Sequence, residues 1–206
     1  MGFFLSLAQA APHNSTPTAH QLGWTQTKGG EEGREIQVTT LSSRGPGSLA
    51  EALLAKGPRK VVFAIAGVID LNFQTLKINE PHLTIAGETA PNPGITLIRG
   101  GLQIATHDVI VRHLRVRAGD GGRAKKSGWE IDGLSTVGGA HDVIVDHCSF
   151  SWCTDENLSA SGPRFEGKDE AAWRANTSHR ITFSNNIVGE GLHQSTHAKG
   201  GHSMGT

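Results

Sequence analysis

The chain contains no tyrosine, and all its aromatic residues make up only 5% of 206 residues. Such a composition suits a bulky, aromatic-rich globular core poorly. The 27 glycines point instead to many tight turns and slim, regularly stacked layers. Neither sign of charge is in excess, with Lys plus Arg at 19 and Asp plus Glu at 19. That balance removes the electrostatic footprint of a nucleic-acid or anionic-membrane partner, while leaving room for a local basic site for an acidic ligand. Nowhere does an apolar run reach the ~20 residues of a membrane span. Cysteine is scarce: Cys148 and Cys153 share one apolar segment. Their spacing alone does not assign a disulfide, and two buried thiols are the simpler reading.

A chain of this length is expected to form one domain that buries roughly 70% of the surface its unfolded form exposes. Residues 1–10 read as the remnant of a secretory signal, because the apolar run Phe3–Ala8 leads into Ala8-Gln9-Ala10, a small-residue cleavage pattern. A secreted, extracellular protein is the resulting expectation. Residues 11–22, rich in Pro, Ser, Thr, Asn and His without periodicity, read as a flexible leader, and residues 23–206 as the folded domain.

The first clear element is a short helix over 48–56. Ser48 and Glu51 have capping-box spacing, Leu49, Leu53 and Leu54 supply an apolar face, and Lys56-Gly57-Pro58 ends it. Strand-like runs follow (VVFAIAGVIDL, LTIAG, ITLI and LQIA), each bounded by Gly, Pro or Asn, and no further amphipathic helix is predicted.

An internal repeat decides the architecture. HDVIVRHLRV begins at His107, HDVIVDHCSF at His141 and HRITFSNNIV at His179, so the starts are 34 and 38 residues apart. Apolar residues occupy repeat positions three and five (Val109/Val143/Ile181 and Val111/Val145/Phe183). They recur at position ten (Val116/Phe150/Val188), with Leu114/Cys148/Asn186 at position eight. A flat strand keeps its inward side chains on one parity. The switch between positions five and eight predicts a bend from one short strand onto another sheet. Repeats that bend in this way stack as coils of a parallel β-helix, with like residues in register and the three leading histidines in a column. Asn186 is expected to hydrogen-bond backbone at its corner. The helix at 48–56 is expected to cover the open end of the first coil.

Three segments, GPGSLAEALLAKGPRKVVFAIAGVIDL, VIVDHCSFSWCTDENLS and EGLHQSTHAKGGHSMG, arrive in an order that resembles the secreted pectate lyases over roughly residues 29–206. The resemblance implies an all-β, right-handed, single-stranded parallel β-helix with an N-terminal capping helix. It also implies calcium-dependent β-elimination of pectate (polygalacturonate), an acidic polysaccharide. A monomer with no nucleic-acid or membrane partner is expected. The resemblance places Ca²⁺ on Asp132, Asp155 and Glu156, and makes Lys199 a contact to substrate carboxylate. In the family an arginine on a later coil acts as base. No match to it is found here, so the catalytic residue is unknown, with the expected arginine beyond Thr206 and the β-helix incomplete at its C-terminal end.

The chemistry agrees with those residue types. Removing the ring proton alpha to a carboxylate requires that carboxylate to be neutralised by a cation, and a hard, oxygen-seeking ion is the natural partner of three acidic side chains. A solvated acidic turn is the bland alternative for Asp155-Glu156, as an ordinary exposed lysine is for Lys199. His193, His197 and His202 in a glycine-rich loop make a poor zinc set. Asp146-His147 is read as fixing a corner and not as a relay to Ser149 or Ser151. Arg112, Arg115 and Arg117 are read as structural, paired with Asp120 and the acidic pair. Two other functions stay open: a β-helix that binds polysaccharide without cleaving it, and a β-helical glycoside hydrolase using Asp132 and Asp155.

Overall fold

A computed structural model describes residues 23–162 and 165–205. The signal remnant and leader expected over 1–22 lie outside the described residues. In chain order the elements are β1 (Arg34–Val38), α1 (Leu49–Leu54), β2 (Arg59–Phe63), β3 (Gly67–Ile78), β4 (Leu83–Ala86), β5 (Ile95–Ile104), β6 (His107–Arg112), β7 (Leu114–Arg117) and β8 (Leu134–Thr136). There follow β9 (His141–Asp146), β10 (Ser149–Ser151), β11 (Leu158–Ala160), α2 (Glu170–Ala175), β12 (His179–Ser184) and β13 (Ile187–Gly189).

Among the described residues every pairing between the strands named above is parallel, and the chain winds through three faces. One face runs β1-β2-β4-β6-β9-β12. A second stacks the first half of β3, the first half of β5, β7, β10 and β13. The third stacks the second halves of β3 and β5 with β8 and β11. This is the parallel β-helix expected from the repeat, right-handed as the family resemblance implies. His107 aligns with His141, and His141 with His179. Their rings stack at 4.9 Å from one coil to the next.

The parity switch has a visible cause. Repeat position seven, held by His113, His147 and Asn185, has left-handed backbone with φ of 54°, 52° and 52°. Each turns the chain from the first face to the second. On either side of that corner Val109, Val111, Val143, Val145, Val116 and Phe150 are fully buried in one shared core. Each such side chain contributes roughly 1.5–3 kcal/mol from burial. In the third repeat Ile181, Phe183 and Val188 pack against that core and are partly buried.

Ile110 and Ile144, on the opposite parity, are also buried, and form a separate small cluster. The segment preceding β1 lies along this outer side. The hydroxyl of Thr25 hydrogen-bonds the Arg180 carbonyl at 2.8 Å, Thr27 the Asp108 carboxylate at 2.7 Å, and the Gly30 N–H the Thr84 hydroxyl at 3.0 Å.

The capping helix is shorter than 48–56. Ser48 accepts from the Glu51 N–H at 3.2 Å, while the Glu51 carboxylate reaches the Gly47 N–H at 2.7 Å, one residue before the N-cap. Leu49, Ala52 and Leu53 face the core, whereas Leu54 is 72% exposed. In a single i, i+3, i+4 stripe Ala52 takes the place expected of Leu54. The buried Arg59 donates to the Leu53 carbonyl at 3.1 Å and the Pro81 carbonyl at 2.9 Å, pairing an oxygen that the helix end leaves open. A second short helix, α2, was not expected. It buries no residue, and rests on the Asp169 cap and the Glu170–Arg174 ion pair, so no apolar stripe announces it.

Candidate functional site

Asp132, Asp155 and Glu156 occupy the turns between the second and third faces on two adjacent coils. Backbone pairing holds them in step. Asp155 N–H donates to Ile131 O at 3.2 Å, Gly133 N–H to Glu156 O at 3.0 Å, and Glu156 N–H to the Asp132 carboxylate at 3.2 Å. Gly133 makes that approach possible, since a Cβ there would lie 2.3 Å from the Asn157 carbonyl oxygen. One oxygen from each of the three carboxylates lies within 4.8 Å of the others. Burial, then the neighbouring Asp132 and Asp155 carboxylates, pushes Glu156 up to about 7. One oxygen of Asp155, Oδ1, is buried and faces the His202 ring at 3.1 Å without an aligned hydrogen bond. Three half-buried carboxylates with crowded charge suit a hard divalent cation.

Two histidines lean on this cluster. His202 Nε2 lies 3.1 Å from Asp155 Oδ1, and His197 Nε2 lies 3.6 Å from Asp155 Oδ2 and 3.5 Å from Glu130. Their ring centroids are 4.0 Å apart. The Lys199 N–H donates to His197 Nδ1 at 3.1 Å, so the proton of the neutral imidazole sits on Nε2. His197 therefore aims a donor at the carboxylates, although Asp155, His197 and His202 also bring one ligand atom each within 4.8 Å of one another. His193 lies elsewhere, lining a cleft with Lys125 and Lys126. Only its position in a histidine-rich loop hinted that His197 would be buried beside Asp155.

Lys199 itself is exposed, and its contact with the cluster is through its backbone and His197. Beside the cluster, the Trp129 carbonyl accepts from the Thr196 and Thr154 hydroxyls at 2.6 and 3.3 Å. Its ring meets Phe73 edge-on at 5.1 Å, and the Arg123 guanidinium lies 3.8 Å above Phe73. Nothing in the repeat pointed to this aromatic group.

The other residues singled out in the sequence make contacts within the fold. Asp146 and His147 do touch, Oδ2 to Nδ1 at 2.7 Å, contrary to the rule that strand neighbours diverge. The left-handed backbone at His147 removes it from the strand. Asp146 also accepts from Ser184 at 2.7 Å and Asn185 at 2.9 Å, and these bonds with His147 hold its carboxyl below the usual carboxylate range despite burial. The arginines find partners other than Asp120 and the acidic pair. Arg112 pairs with Glu88 at 2.7 Å, Arg115 donates to the Thr96 hydroxyl at 2.8 Å, and Arg117 to the Ser149 carbonyl at 2.8 Å. Cys148 and Cys153 are free and buried, and burial pushes each thiol up to about 12.

The fold and the carboxylate cluster define a β-helical protein with a candidate cation centre on its side. Comparison with known proteins narrows the class. A probable pectate lyase C of Emericella nidulans is 37% identical over 174 residues, covering 84% of this chain and 35% of the relative. The Aspergillus terreus protein of the same name is also 37% identical, over 84% of this chain and 36% of its own. A probable pectate lyase 13 of Arabidopsis thaliana is 28% identical over 82% of this chain and 37% of its own. The crystal structure of Jun a 1, the major allergen from cedar pollen, shares the fold with a TM-score of 0.58 at 18% identity, over 81% of this chain and 57% of that one. No family model matches the chain. The chain is a homologue of proteins named pectate lyase, and it spans about a third of the length of those relatives.

Proposed function

We propose that the chain carries the calcium-binding part of a secreted pectate lyase that cleaves polygalacturonate by β-elimination. The observation that carries the reading is the meeting of Asp132, Asp155 and Glu156 from two coils, with one oxygen of each within 4.8 Å of the others. The name shared by the homologues supports the substrate class. Calcium held there would neutralise the uronate carboxylate and so acidify the ring proton beside it. The protein's own part is orientation. The Asp132 carboxylate is fixed by the Glu156 N–H, and Asp155 is flanked by His197 and His202. Lys199, at the surface of the same loop, is assigned to a substrate carboxylate. Removal of the proton needs a positioned base. We leave that role to an arginine of the family pattern, which none of the residues assigned above matches.

Two measurements test the proposal. Calorimetry on the 206-residue chain should show calcium binding with a Kd on the order of 10⁻⁴–10⁻³ M, weakened at least about tenfold in Asp155→Ala. A form of the protein that also carries the base should release unsaturated uronates, followed by ultraviolet absorbance, and chelator should abolish that release. Saturated product formed in chelator would assign the carboxylates to hydrolysis instead. Polymer binding without any product would make the protein a binding module.

A further inference from the structure

The loop that brings His197 and His202 to the carboxylates also builds a cleft of about 340 Å³, lined in part by Lys125, Lys126, Gln194 and Ser195. Two segments meet there. Lys126 N–H donates to Ser195 O at 2.9 Å and Gly128 N–H to Thr196 O at 2.8 Å, stitching the loop before Asp132 onto the loop around His197. Gln194 and Gly201 form an antiparallel bridge across the second loop. Room for the lysine side chain depends on glycine: a Cβ on Gly200 would come within 2.9 Å of Lys126 Cε.

The charge in this cleft is of one sign. Lys125 is steadied by Gln194 at 3.4 Å, and among the described residues no carboxylate pairs with either ammonium. Ser195 is 2% exposed, and its hydroxyl has no hydrogen-bond partner, an orphan group that a bound acceptor would satisfy. Two unpaired ammoniums with a buried hydroxyl form a receptor for a carboxylate. The cleft adjoins the acidic cluster through one residue. His202 donates its backbone N–H to the His193 carbonyl at 3.1 Å, and its ring Nε2 lies 3.1 Å from Asp155.

We infer that this cleft binds the carboxylate of an acidic sugar, one unit along the polymer from the unit held at Asp132, Asp155 and Glu156. The inference deepens the proposed function by naming a second subsite for the same polyanion, and it rests on that reading for the choice of sugar. A polyuronate carries a carboxylate on every unit, so one chain can present one to the cation and another to Lys125 and Lys126.

Calorimetry on the 206-residue chain in chelator isolates the cleft from the metal. Trigalacturonate should bind, more weakly as salt rises, and the uncharged galactose trimer should not. The double variant Lys125→Gln/Lys126→Gln changes only exposed side chains, so its melting temperature should be unchanged while its Kd rises at least tenfold. Ser195→Ala should raise it by a smaller factor. An unchanged Kd in the double variant overturns the inference, as does equal binding of the neutral trimer or of inorganic phosphate. The metal reading fails separately. If calcium does not bind but trigalacturonate still does in chelator, the cleft stands and the calcium site falls. Calcium binding lost in Asp155→Ala, with sugar binding indifferent to Lys125 and Lys126, gives the reverse.

Discussion

Asn186 does for the coil below it what Cys148 does one coil further down. The Asn186 side chain accepts the Cys148 N–H at 2.8 Å and donates to the Val145 carbonyl at 2.9 Å. The Cys148 sulfur accepts the Leu114 N–H at 3.5 Å and faces the Val111 carbonyl at 3.7 Å. Leu114 and Val111 are the repeat equivalents of Cys148 and Val145. A backbone donor and acceptor left open where the chain turns must find partners, and repeat position eight supplies them at both corners.

Asn186→Leu tests this role. It keeps the branched shape and the number of heavy atoms and removes both bonds, leaving the Cys148 N–H and the Val145 carbonyl without partners. A loss of about 1–3 kcal/mol in urea unfolding is expected. An unchanged midpoint would mean that water reaches this corner and serves the backbone as well.

That corner shows what the sequence made legible and what it hid. Repeat alignment exposed the parity switch, the histidine column and the Asn186 bond, because like residues stack on like residues and leave a period in the text. The left-handed turn at position seven was hidden, since His113, His147 and Asn185 are not glycine. The stacking of His113 on His147 was readable in the same repeat but needed the turn to be seen. The acidic cluster was legible through the family motif, which places Asp132 and Asp155-Glu156 on turns of neighbouring coils. His197 was not. Its burial depends on the loop around 193–202 folding onto the loop before Asp132, a contact between two irregular segments that have no periodicity to read.

Gly133 ties fold to site. Its missing side chain lets Asp132 pass directly beside Glu156, and a Cβ would also come within 3.0 Å of the Cys153 sulfur. Gly133→Ala should therefore cost about 1–3 kcal/mol of stability, as overpacking does, and weaken calcium binding at the same time. Gly189→Ala is the matched control, since no atom lies within 4 Å of the added methyl. If Gly133→Ala melts like the control and binds calcium like the parent, the two coils have slack that the structure does not show.

The acidic cluster also sets a pH dependence. Burial together with Asp132 and Asp155 raises Glu156 from 4.5 to about 7. Between those values the folded protein keeps a proton that the unfolded chain has released. The stability tied to that proton is complete below about pH 4.5 and is lost as pH rises through about 7, so without metal the protein should become less stable over that interval. In chelator the melting temperature should fall from pH 5 to pH 8, and Glu156→Gln, which cannot ionise, should flatten the fall. Calcium should act in the opposite direction and most strongly at the alkaline end, where all three carboxylates are charged. At ten times its Kd it adds about 1.4 kcal/mol, raising the melting temperature of the parent and doing less for the variant. The difference between parent and Glu156→Gln is the quantity to read, because titration elsewhere in the molecule cancels in it. Parallel melting curves for the two proteins across the range would mean that Glu156 is solvated in the folded chain, and the crowded carboxylates would lose their claim on a cation.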